Sequence, residues 1–367
     1  MGGSELPLKV AVYTIALNEV KHVDRWADSA VDADYRVVGD TGSTDGTVER
    51  LESKGVIVHR LAIRPWRFDD GRNATMALIP DDVEVCVTMD MDTFLAPGWR
   101  PKLEEAWTPG TTAVYCRMIL RPTIDNLDGI GGSPSKGFHH RWGYRFRRPV
   151  HEALFFTGES EVTHNRSDIV MYHVQDHSKT TRRQYLPLME VAHREDPRDS
   201  QICFWLGREY MWANRLEEAG RLLQLYLELP TSSWGEERSE AMRYLARLQP
   251  EKKLHWLDRA RTEAPHRREI WLDLAEELHK QQDWAGLLWA CSNGIEKTRH
   301  TQSYLDDGRC WGFRLFDLGA IACWNLNVMD KAVEWGEKAL ALDPANERLK
   351  SNLGFFLLRR REQHPAT

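Results

Sequence analysis

The spacing of the apolar residues changes near residue 180, and this change limits the folds that the chain can adopt. Before it, short apolar runs such as Val10–Ile15 and Glu84–Met89 alternate with amphipathic stretches such as Val20–Ala30. This alternation predicts a parallel α/β sheet with helices on both faces. From about residue 183 onward the spacing is that of helices alone. We therefore predict an α/β domain at residues 1–182 and an all-α domain at residues 183–367.

The bulk properties of the chain exclude several classes of protein. The longest apolar runs, such as Val83–Met89, are much shorter than the about 20 residues that a transmembrane helix needs. Residues 1–7 have no basic segment followed by an apolar core, so they do not predict a signal peptide. The six cysteines form no CxxC pair, which argues against a zinc site and a disulfide framework. With a formal net charge of −6, the whole chain is not a general nucleic-acid binder. We expect a cytoplasmic protein without a membrane partner.

The helical half contains an internal similarity. The segment Trp205–Tyr210 has partial counterparts in Trp271–Leu278 and Phe316–Cys323, and small residues such as Ala219 follow. These offsets resemble the tetratricopeptide repeat, in which small residues lie where the two helices of a pair touch. We predict about three such units stacked into a short solenoid, with the helix at residues 255–263 outside the pattern. A plain helical bundle is the alternative.

Two acidic turns follow predicted strands. In VVGDTGSTDGT (Val37–Thr47), a strand ends in a glycine-rich turn that is expected to expose Asp40. In TMDMDTFLAP (Thr88–Pro97), an apolar strand runs directly into Asp90 and Asp92. Two carboxylates on one short turn repel each other unless a cation or a donor lies between them, and a divalent ion shared with substrate phosphates is the usual solution. Each turn alone is also compatible with a helix cap or a solvated acidic loop.

Basic and histidine-containing segments follow these turns. Arg72 opens a helix in FDDGRNA and has the planar guanidinium that matches a diphosphate. His151 and Glu152 follow the basic run RFRRPV, and a histidine beside a carboxylate suits a general base or a metal ligand. The whole stretch Lys136–His151 is rich in basic and aromatic residues. The structural alternatives are an exposed arginine, a packed His–Glu pair and a flexible loop over a diphosphate.

The order of these segments is more specific than any one of them. Along the chain they are ALNE (Ala16–Glu19), VVGDTGSTDGT, FDDGRNA, MDMD, PVHE and YHVQDHSKTTRR. This ordered set resembles the family-2 glycosyltransferases of the GT-A fold, over residues 8–183 of the chain. Together with the trailing tetratricopeptide region, it is similar to a subgroup that includes bacterial peptide glycosyltransferases, some of which act on cysteine thiols. The resemblance implies a GT-A (Rossmann-like) domain, a nucleotide-diphosphate sugar and a bound Mn²⁺ or Mg²⁺.

The resemblance implies donor-binding roles for several residues. Asp40 matches the acidic residue that hydrogen-bonds the nucleotide base. The strand end from Thr14 to Ala16 is expected to line the base pocket. Arg72 matches the arginine near the donor nucleotide. Asp90 is the first acidic residue of the DxD pair, and we expect it near the ribose or near a water bound to the metal.

The resemblance also implies the metal ligands and the residues on the acceptor side. Asp92, the second acidic residue of the DxD pair, is expected to bind the metal directly, and His173 to complete its coordination. His151 and Glu152 match the HE element near the acceptor, and we expect Glu152 to be the general base of an inverting, single-displacement transfer. The alternative is that Glu152 holds a neighbouring basic side chain in place. Families of this kind usually carry an acidic residue after the DxD pair, where this chain has Thr93.

These features together predict a metal-dependent glycosyltransferase. The resemblance alone implies UDP-glucose or a related UDP-hexose as the default donor, with the hexose passing to a hydroxyl or thiol of a macromolecular acceptor. We expect a protein or peptide acceptor, because helical-repeat domains form concave surfaces that suit peptides. The stretch Lys136–Arg148 leaves a hydroxymethylated base in DNA as an alternative, since arginines and aromatic rings suit a phosphate backbone and unstacked bases. Small molecules and glycans stay open as acceptors, and a binding scaffold with a decayed transferase domain is the non-enzymatic alternative.

Overall fold

The computed structural model describes residues 8–121, 130–174, 185–301 and 303–363. The chain divides into two compact units, one ending at Glu195 and one beginning at Asp196, which we call the sheet unit and the helical unit. The boundary expected between residues 182 and 183 falls in the segment 175–184, outside the described residues. Within the described ranges, no helix has both the length and the apolar character that crossing a membrane requires.

The described part of the sheet unit contains an eight-stranded sheet and a two-stranded sheet. The larger sheet consists of β1 (Val10–Ala16), β2 (Tyr35–Asp40), β3 (Ile57–Arg60), β4 (Val85–Thr88), β5 (Thr93–Leu95), β6 (Ala113–Arg121), β7 (Ile130–His140) and β10 (Thr163–Val174). The smaller sheet is the antiparallel pair β8 (Tyr144–Arg147) and β9 (Ala153–Phe156). The helices of this unit are α1 (Val20–Ser29), α2 (Thr47–Ser53), α3 (Phe68–Ala77), α4 (Trp99–Ala106) and α5 (Leu186–Glu195).

The strands of the larger sheet lie in the order β3-β2-β1-β4-β7-β6-β10-β5. Strands β1 to β4 pair in parallel, as the alternation of strands and helices predicts. The sheet as a whole is mixed, which corrects the prediction of a parallel sheet, because β7 and β5 run antiparallel to their neighbours. A parallel pair needs a crossover of about a dozen residues or more. Only residues 122–129 lie between β6 and β7, so these paired strands must be antiparallel.

The strand order reverses at β1. Strands β2 and β3 lie on one side of β1, and β4 lies on the other. In open α/β sheets, ligands bind outside the carboxyl ends of the strands at such a point of reversal. That place lies just beyond Ala16 of β1 and Thr88 of β4. The DxD turn comes directly after β4, so it lies at the position where this topology favours ligand binding.

Alternating residues of β1 pack into separate cores on the two faces of the sheet. Val10 and Val12 belong to one buried apolar cluster, which includes Trp26 of α1. Ala11 belongs to another, which includes Met76 of α3. Because successive side chains of a strand point to opposite faces, helices cover both faces of the sheet. This part of the fold prediction is confirmed.

The helical unit is built from helices that follow one another closely. They are α6 (Ser200–Trp212), α7 (Leu216–Glu228), α8 (Gly235–Leu248), α9 (Lys253–Glu263), α10 (Arg268–Lys280), α11 (Trp284–Glu296), α12 (Arg314–Asn325), α13 (Met329–Leu342) and α14 (Glu347–Gln363). Each helix packs against the next, and α10 also packs against both α8 and α12. This is the contact pattern of stacked helix pairs, so the unit is a tetratricopeptide-like helical repeat. Residues 255–263, expected outside the pattern, belong to α9 and pair with α8.

Glycines lie where paired helices approach most closely. A Cβ atom added to Gly207 of α6 would lie 3.0 Å from the Leu223 side chain of α7. One added to Gly319 of α12 would lie 2.2 Å from the Trp335 ring of α13. A Cβ contact of 2.2 Å does not occur in real structures and one of 3.0 Å is unusually tight, so a larger residue at either position would force the neighbouring side chain or helix to shift. The pattern of small residues in the sequence thus marks true helix contacts.

Candidate active site

Strand pairing brings Asp92 next to His173. Strand β5 pairs antiparallel with β10, and Thr93 lies opposite His173 in the register. Asp92 Oδ1 is 3.5 Å from His173 Nδ1. The backbone supports this arrangement, because the amide of Val174 donates to the carbonyl of Asp92 at 3.0 Å. The two residues that the resemblance assigns to a metal ion are therefore neighbours. The rest of the motif around His173, residues 175–184, lies outside the described residues.

Thr93 occupies the position where the family resemblance leads us to expect an acidic residue. Its Oγ1 is 3.3 Å from Nδ1 of His173. The Thr93 side chain is 2% exposed, so this hydroxyl is held in place by its surroundings. A neutral hydroxyl therefore stands beside the imidazole where a carboxylate was expected. The contact depends on the pairing of β5 with β10, and the sequence motif alone contains no signal for it.

Arg72 joins two carboxylates from different parts of the sheet unit. Its Nε donates to Glu152 Oε1 at 2.5 Å, and its Nη2 donates to Asp90 Oδ1 at 2.6 Å. The side chains of Arg72 and Glu152 are each 11% exposed. Burial alone would lower the pKa of the Arg72 guanidinium, but the charges of Asp90 and Glu152 outweigh burial and raise that pKa well above its usual value. Arg72 is thus a permanent cation held between two carboxylates.

Asn73 fixes the segment that carries Glu152 against helix α3. Its side-chain amide donates to the carbonyl of Phe146 at 2.9 Å and accepts from the Phe146 amide at 2.9 Å. The chain then turns sharply, since Arg148 and His151 have positive φ values of 83° and 51°. Residues other than glycine adopt this conformation rarely. The anchored strand and the sharp turn together bring Glu152 back to the start of α3. Asn73 is a residue that sequence reasoning missed.

Two cavities share a wall formed by Arg72, Asp90 and Glu152. The crevice cavity has a volume of about 280 Å³. It is also lined by Ile15, the penultimate residue of β1, and by Asp92, which lies beyond the end of β4. The side cavity has a volume of about 530 Å³. Small-molecule sites typically have volumes of about 300–1,000 Å³, so the side cavity lies within this range and the crevice cavity just below it. The Arg72 cluster is therefore the partition between two ligand-sized spaces.

The other sequence-predicted residues divide between these cavities. His151 lines the crevice cavity together with Asp92. His173 lines the side cavity. The aromatic residues Phe68 and Tyr185 also line the crevice cavity, although sequence reasoning gave neither of them a role. All the residues predicted to bind the metal, to bind the diphosphate or to act as the base therefore line at least one of the two cavities.

Three residues predicted to bind the nucleotide base line neither of these cavities. Thr14 and Ala16 are buried in β1. Asp40 was expected to be exposed, and this expectation is wrong, since Asp40 is only 2% exposed. Its Oδ2 accepts hydrogen bonds from the backbone amides of Gly42 and Ser43, each at 3.1 Å. The glycine-rich turn folds back over its own carboxylate because that carboxylate satisfies two backbone donors.

The Asp92–His173 pair fits a divalent cation that binds together with a phosphate-bearing ligand. A carboxylate oxygen and an imidazole nitrogen lie 3.5 Å apart, and both atoms are metal donors. In the part of the chain that the structure describes, no group of three or more His, Cys, Asp or Glu side chains could hold a metal ion. Two protein ligands leave the remaining positions to water and substrate oxygens, which is the usual arrangement for Mg²⁺ at phosphates.

The basic and aromatic stretch Lys136–His151 contains two strands, and it is not the flexible loop considered above. Its beginning is the end of β7 and its middle is β8. His139 is fully buried and Arg141 is 4% exposed, with Arg141 Nη2 donating to a backbone carbonyl at 2.9 Å. Lys136 Nζ donates to Glu161 Oε1 at 2.6 Å. Lys136 and Arg141 are therefore used inside the protein, whereas Arg145 and Arg147 are exposed.

Comparisons with known proteins find similarity at the level of the fold. No family model matches the sequence, and no curated protein matches it. Among solved structures, YrrB, a TPR protein with an unusual peptide-binding site, is 14% identical over 48% of this chain and 85% of its own, with a TM-score of 0.39. MamA is 15% identical over 50% of this chain and 85% of its own, with a TM-score of 0.34. PilF of Pseudomonas aeruginosa is 16% identical over 47% of this chain and 72% of its own, with a TM-score of 0.36. The helical repeat itself is evident from the contacts between successive helices from α6 to α14.

Proposed function

We propose that the chain is a metal-dependent glycosyltransferase with a GT-A (Rossmann-like) sheet unit, which transfers a hexose from a nucleotide diphosphate, by default UDP-glucose. The observation that carries the proposal is the position of Asp92 beside His173, just beyond the carboxyl end of β4. The strand order β3-β2-β1-β4 supports it, because doubly wound nucleotide-binding sheets have this order around the point where ligands bind. The donor is therefore assigned to the crevice cavity.

The charges around the crevice cavity support a cation-dependent donor. The lining contains the carboxylates of Glu19, Asp90, Asp92 and Glu152, and the guanidinium of Arg72. Even with the Arg25 guanidinium near Asp92, the carboxylates outnumber the cations, so a diphosphate alone would be repelled. A divalent cation reverses this balance locally. The same lining that disfavours a free diphosphate is suited to one that arrives with its metal ion.

Asp92 and His173 are the residues proposed to hold Mn²⁺ or Mg²⁺, which when bound supplies charge stabilisation to the leaving diphosphate. In the transfer, the hydroxyl oxygen or thiol sulfur of the acceptor forms a bond to the anomeric carbon. The bond from that carbon to the phosphate oxygen breaks, and its electron pair leaves with the nucleotide diphosphate. The acceptor proton goes to Glu152, and the single displacement inverts the anomeric centre.

The position of Glu152 supports its role as the base. It lines both cavities, so it lies between the assigned donor space and the neighbouring one. Arg72 binds Glu152 Oε1 and thereby orients the carboxylate. Arg72 is accordingly a positioning residue in this proposal, in addition to the donor contact that the resemblance implies.

A protein or peptide is the proposed acceptor class. The helical unit supports this choice because stacked helix pairs form extended surfaces suited to peptides. The DNA alternative stays open: His139 and Arg141 are buried and Lys136 is paired with Glu161, but Arg145 and Arg147 of the same stretch are exposed. A scaffold without donor binding stays as the non-enzymatic alternative, and the experiment below distinguishes it.

Calorimetric titration with UDP tests the proposal directly. We expect the full chain to bind UDP in the presence of Mn²⁺ or Mg²⁺, and to lose binding when EDTA is added. Asp92→Asn should weaken cation-dependent UDP binding by at least about tenfold, or about 1.4 kcal/mol. Asp32→Asn is the matched control, because Asp32 is an exposed carboxylate of the same unit that lines neither cavity. Absence of binding to UDP and GDP under all these conditions would favour the scaffold, and unchanged binding by Asp92→Asn would remove the metal assignment.

Glu152→Gln tests the proposed base. If Glu152 removes the acceptor proton, transfer should slow by about 10²–10⁴-fold while UDP still binds. Glu159→Gln, at an exposed position shortly after β9, is the control and should transfer at the rate of the unaltered chain. If Glu152→Gln lowers the transfer rate by less than about tenfold, Glu152 is not the base, and its contact with Arg72 is the only role left to it.

A further inference from the structure

The side cavity has an apolar wall that the assigned donor site does not use. Tyr115, Met118 and Leu120 of β6 line it, together with Phe146 of β8 and Leu154 of β9. Leu120 is 55% exposed. Large side chains of this kind gain stability when they leave water, and a group of them around one cavity marks a binding surface. The side cavity is therefore suited to an apolar group along the part of its wall that β6, β8 and β9 form.

One end of the same cavity is polar and belongs to the reacting centre. Glu152, Asp90 and Arg72 form its partition from the crevice cavity, and His173 lines it as well. A ligand in this space would have one end beside the proposed base and the rest against apolar side chains. The cavity thus has the polarity of an amphipathic molecule whose nucleophilic group is at one end.

Lys136 is the cationic side chain of the β7 strand that lines the side cavity. Its Nζ donates to Glu161 Oε1 at 2.6 Å. The ammonium also lies 5.5 Å from the ring centroid of Tyr115 and 5.3 Å from that of Tyr144. Its charge is thus balanced by a carboxylate and by two aromatic rings. The cavity therefore has little attraction for an acidic or phosphorylated acceptor.

We infer that the side cavity is the acceptor site, and that it selects a peptide in which an apolar group adjoins the attacking hydroxyl or thiol. The inference rests on the proposed function, because the donor is assigned to the crevice cavity on the other side of the Arg72 partition. Glu152 then contacts both substrates. The apolar wall also removes water from the neighbourhood of the anomeric carbon, which limits hydrolysis of the donor. Selectivity follows from burial of the apolar group.

A series of short acceptors tests this inference. The probes are N-acylserine amides and N-acylcysteine amides whose acyl groups lengthen from acetyl to octanoyl, given to the full chain with UDP-glucose and Mn²⁺. Sugar transfer is followed by mass spectrometry, and UDP binding is measured separately by calorimetry. We expect kcat/KM to rise with acyl length by up to about fourfold per methylene, because each buried methylene contributes about 0.8 kcal/mol.

Leu120→Arg is the informative variant, and Leu78→Arg is its matched control. Both leucines are exposed, at 55% and 42%, so neither change removes core packing. Leu120 lines the side cavity and Leu78 lines neither cavity. We expect Leu120→Arg to make kcat/KM nearly independent of acyl length, and Leu78→Arg to keep the dependence of the unaltered chain. The melting temperature of each variant shows whether it is folded.

The outcomes separate the inference from the proposed function. If UDP binds with Mn²⁺ but kcat/KM does not depend on acyl length, or no probe accepts the sugar, the apolar acceptor site is wrong and the donor site stands. If the dependence persists in full in Leu120→Arg, the apolar group binds elsewhere and the inference is overturned. If UDP does not bind at all, the proposed function fails and the inference fails with it.

Discussion

Replacing Arg72 by Met would leave the carboxylates of Asp90 and Glu152 without the cation that joins them. The perturbation is best designed as a double-mutant cycle of Arg72→Met, Glu152→Gln and the double variant. Such a cycle isolates the interaction between the two side chains from the other effects of each change. It measures how strongly the partition between the two cavities is held together.

The expected magnitude follows from burial and distance. Arg72 and Glu152 are each 11% exposed, and opposite charges about 4 Å apart attract by about 4 kcal/mol at an effective dielectric constant of about 20. Desolvation offsets part of this attraction, so we expect a coupling free energy of about 2 kcal/mol. Asp90 is 51% exposed, so its pairing with Arg72 adds no more than about 1 kcal/mol. Arg72→Met alone should then cost about 3 kcal/mol of unfolding free energy, because a buried carboxylate loses its partner.

The assay must report on the sheet unit, because the two compact units of the chain can unfold separately. Urea titration followed by hydrogen–deuterium exchange in peptides that cover α3 and β4 meets this need. Arg50 and Asp24 form the matched control pair. Their bonds are 2.7 Å long, but their side chains are 48% and 51% exposed. The same cycle on this pair, with Arg50→Met and Asp24→Asn, should show a coupling below about 1 kcal/mol.

Comparing the coupling free energies of the two cycles tests whether burial makes the Arg72–Glu152 pair stronger than an exposed pair. A coupling between Arg72 and Glu152 of less than about 0.5 kcal/mol, equal to that of an exposed pair, would refute the reasoning. It would mean that Arg72 does not fix Glu152 in solution. The base would then lack the orientation that the proposed mechanism requires.

Two further predictions concern stability. Burial lowers the pKa of His139 to about 4, and the neutral ring lies 3.0 Å from Tyr13 Oη. The unfolded chain, with a histidine pKa of about 6.5, takes up this proton first as the pH falls, so about 2 kcal/mol of stability should be lost between about pH 7 and pH 5. Urea unfolding at both pH values should show this loss reduced in His139→Gln, and an identical pH dependence would contradict the assignment. In the helical unit, Gly319→Ala should cost about 1–3 kcal/mol, because its Cβ would lie 2.2 Å from Trp335. Gly220→Ala, whose Cβ meets nothing within 4 Å, should instead stabilise the helical unit by up to about 1 kcal/mol. Thermal unfolding measures both variants. Equal changes in stability would show that helix contact is not the cause.

Local periodicity was sufficient to predict the elements of the first half of the sheet unit. The stretch expected to be a helix at Val20–Ala30 forms α1 (Val20–Ser29), and the strand expected at Val10–Ile15 forms β1 (Val10–Ala16). The pattern succeeded because alternate residues of β1 are buried on opposite faces. The prediction that the whole sheet is parallel was wrong, because β7 runs antiparallel to β4 and strand direction depends on which distant segments pair.

The amino-acid sequence alone determined that Asp90 and Asp92 follow a buried strand, since a run of apolar residues ending in a polar turn is a local property. Tertiary structure alone decided that His173 lies 3.5 Å from Asp92 and that Glu152 accepts a hydrogen bond from Arg72. Both contacts join segments that are far apart in the chain. They are fixed by backbone hydrogen bonds between strands and by a turn with positive φ, and the spacing of residue types does not record either of these.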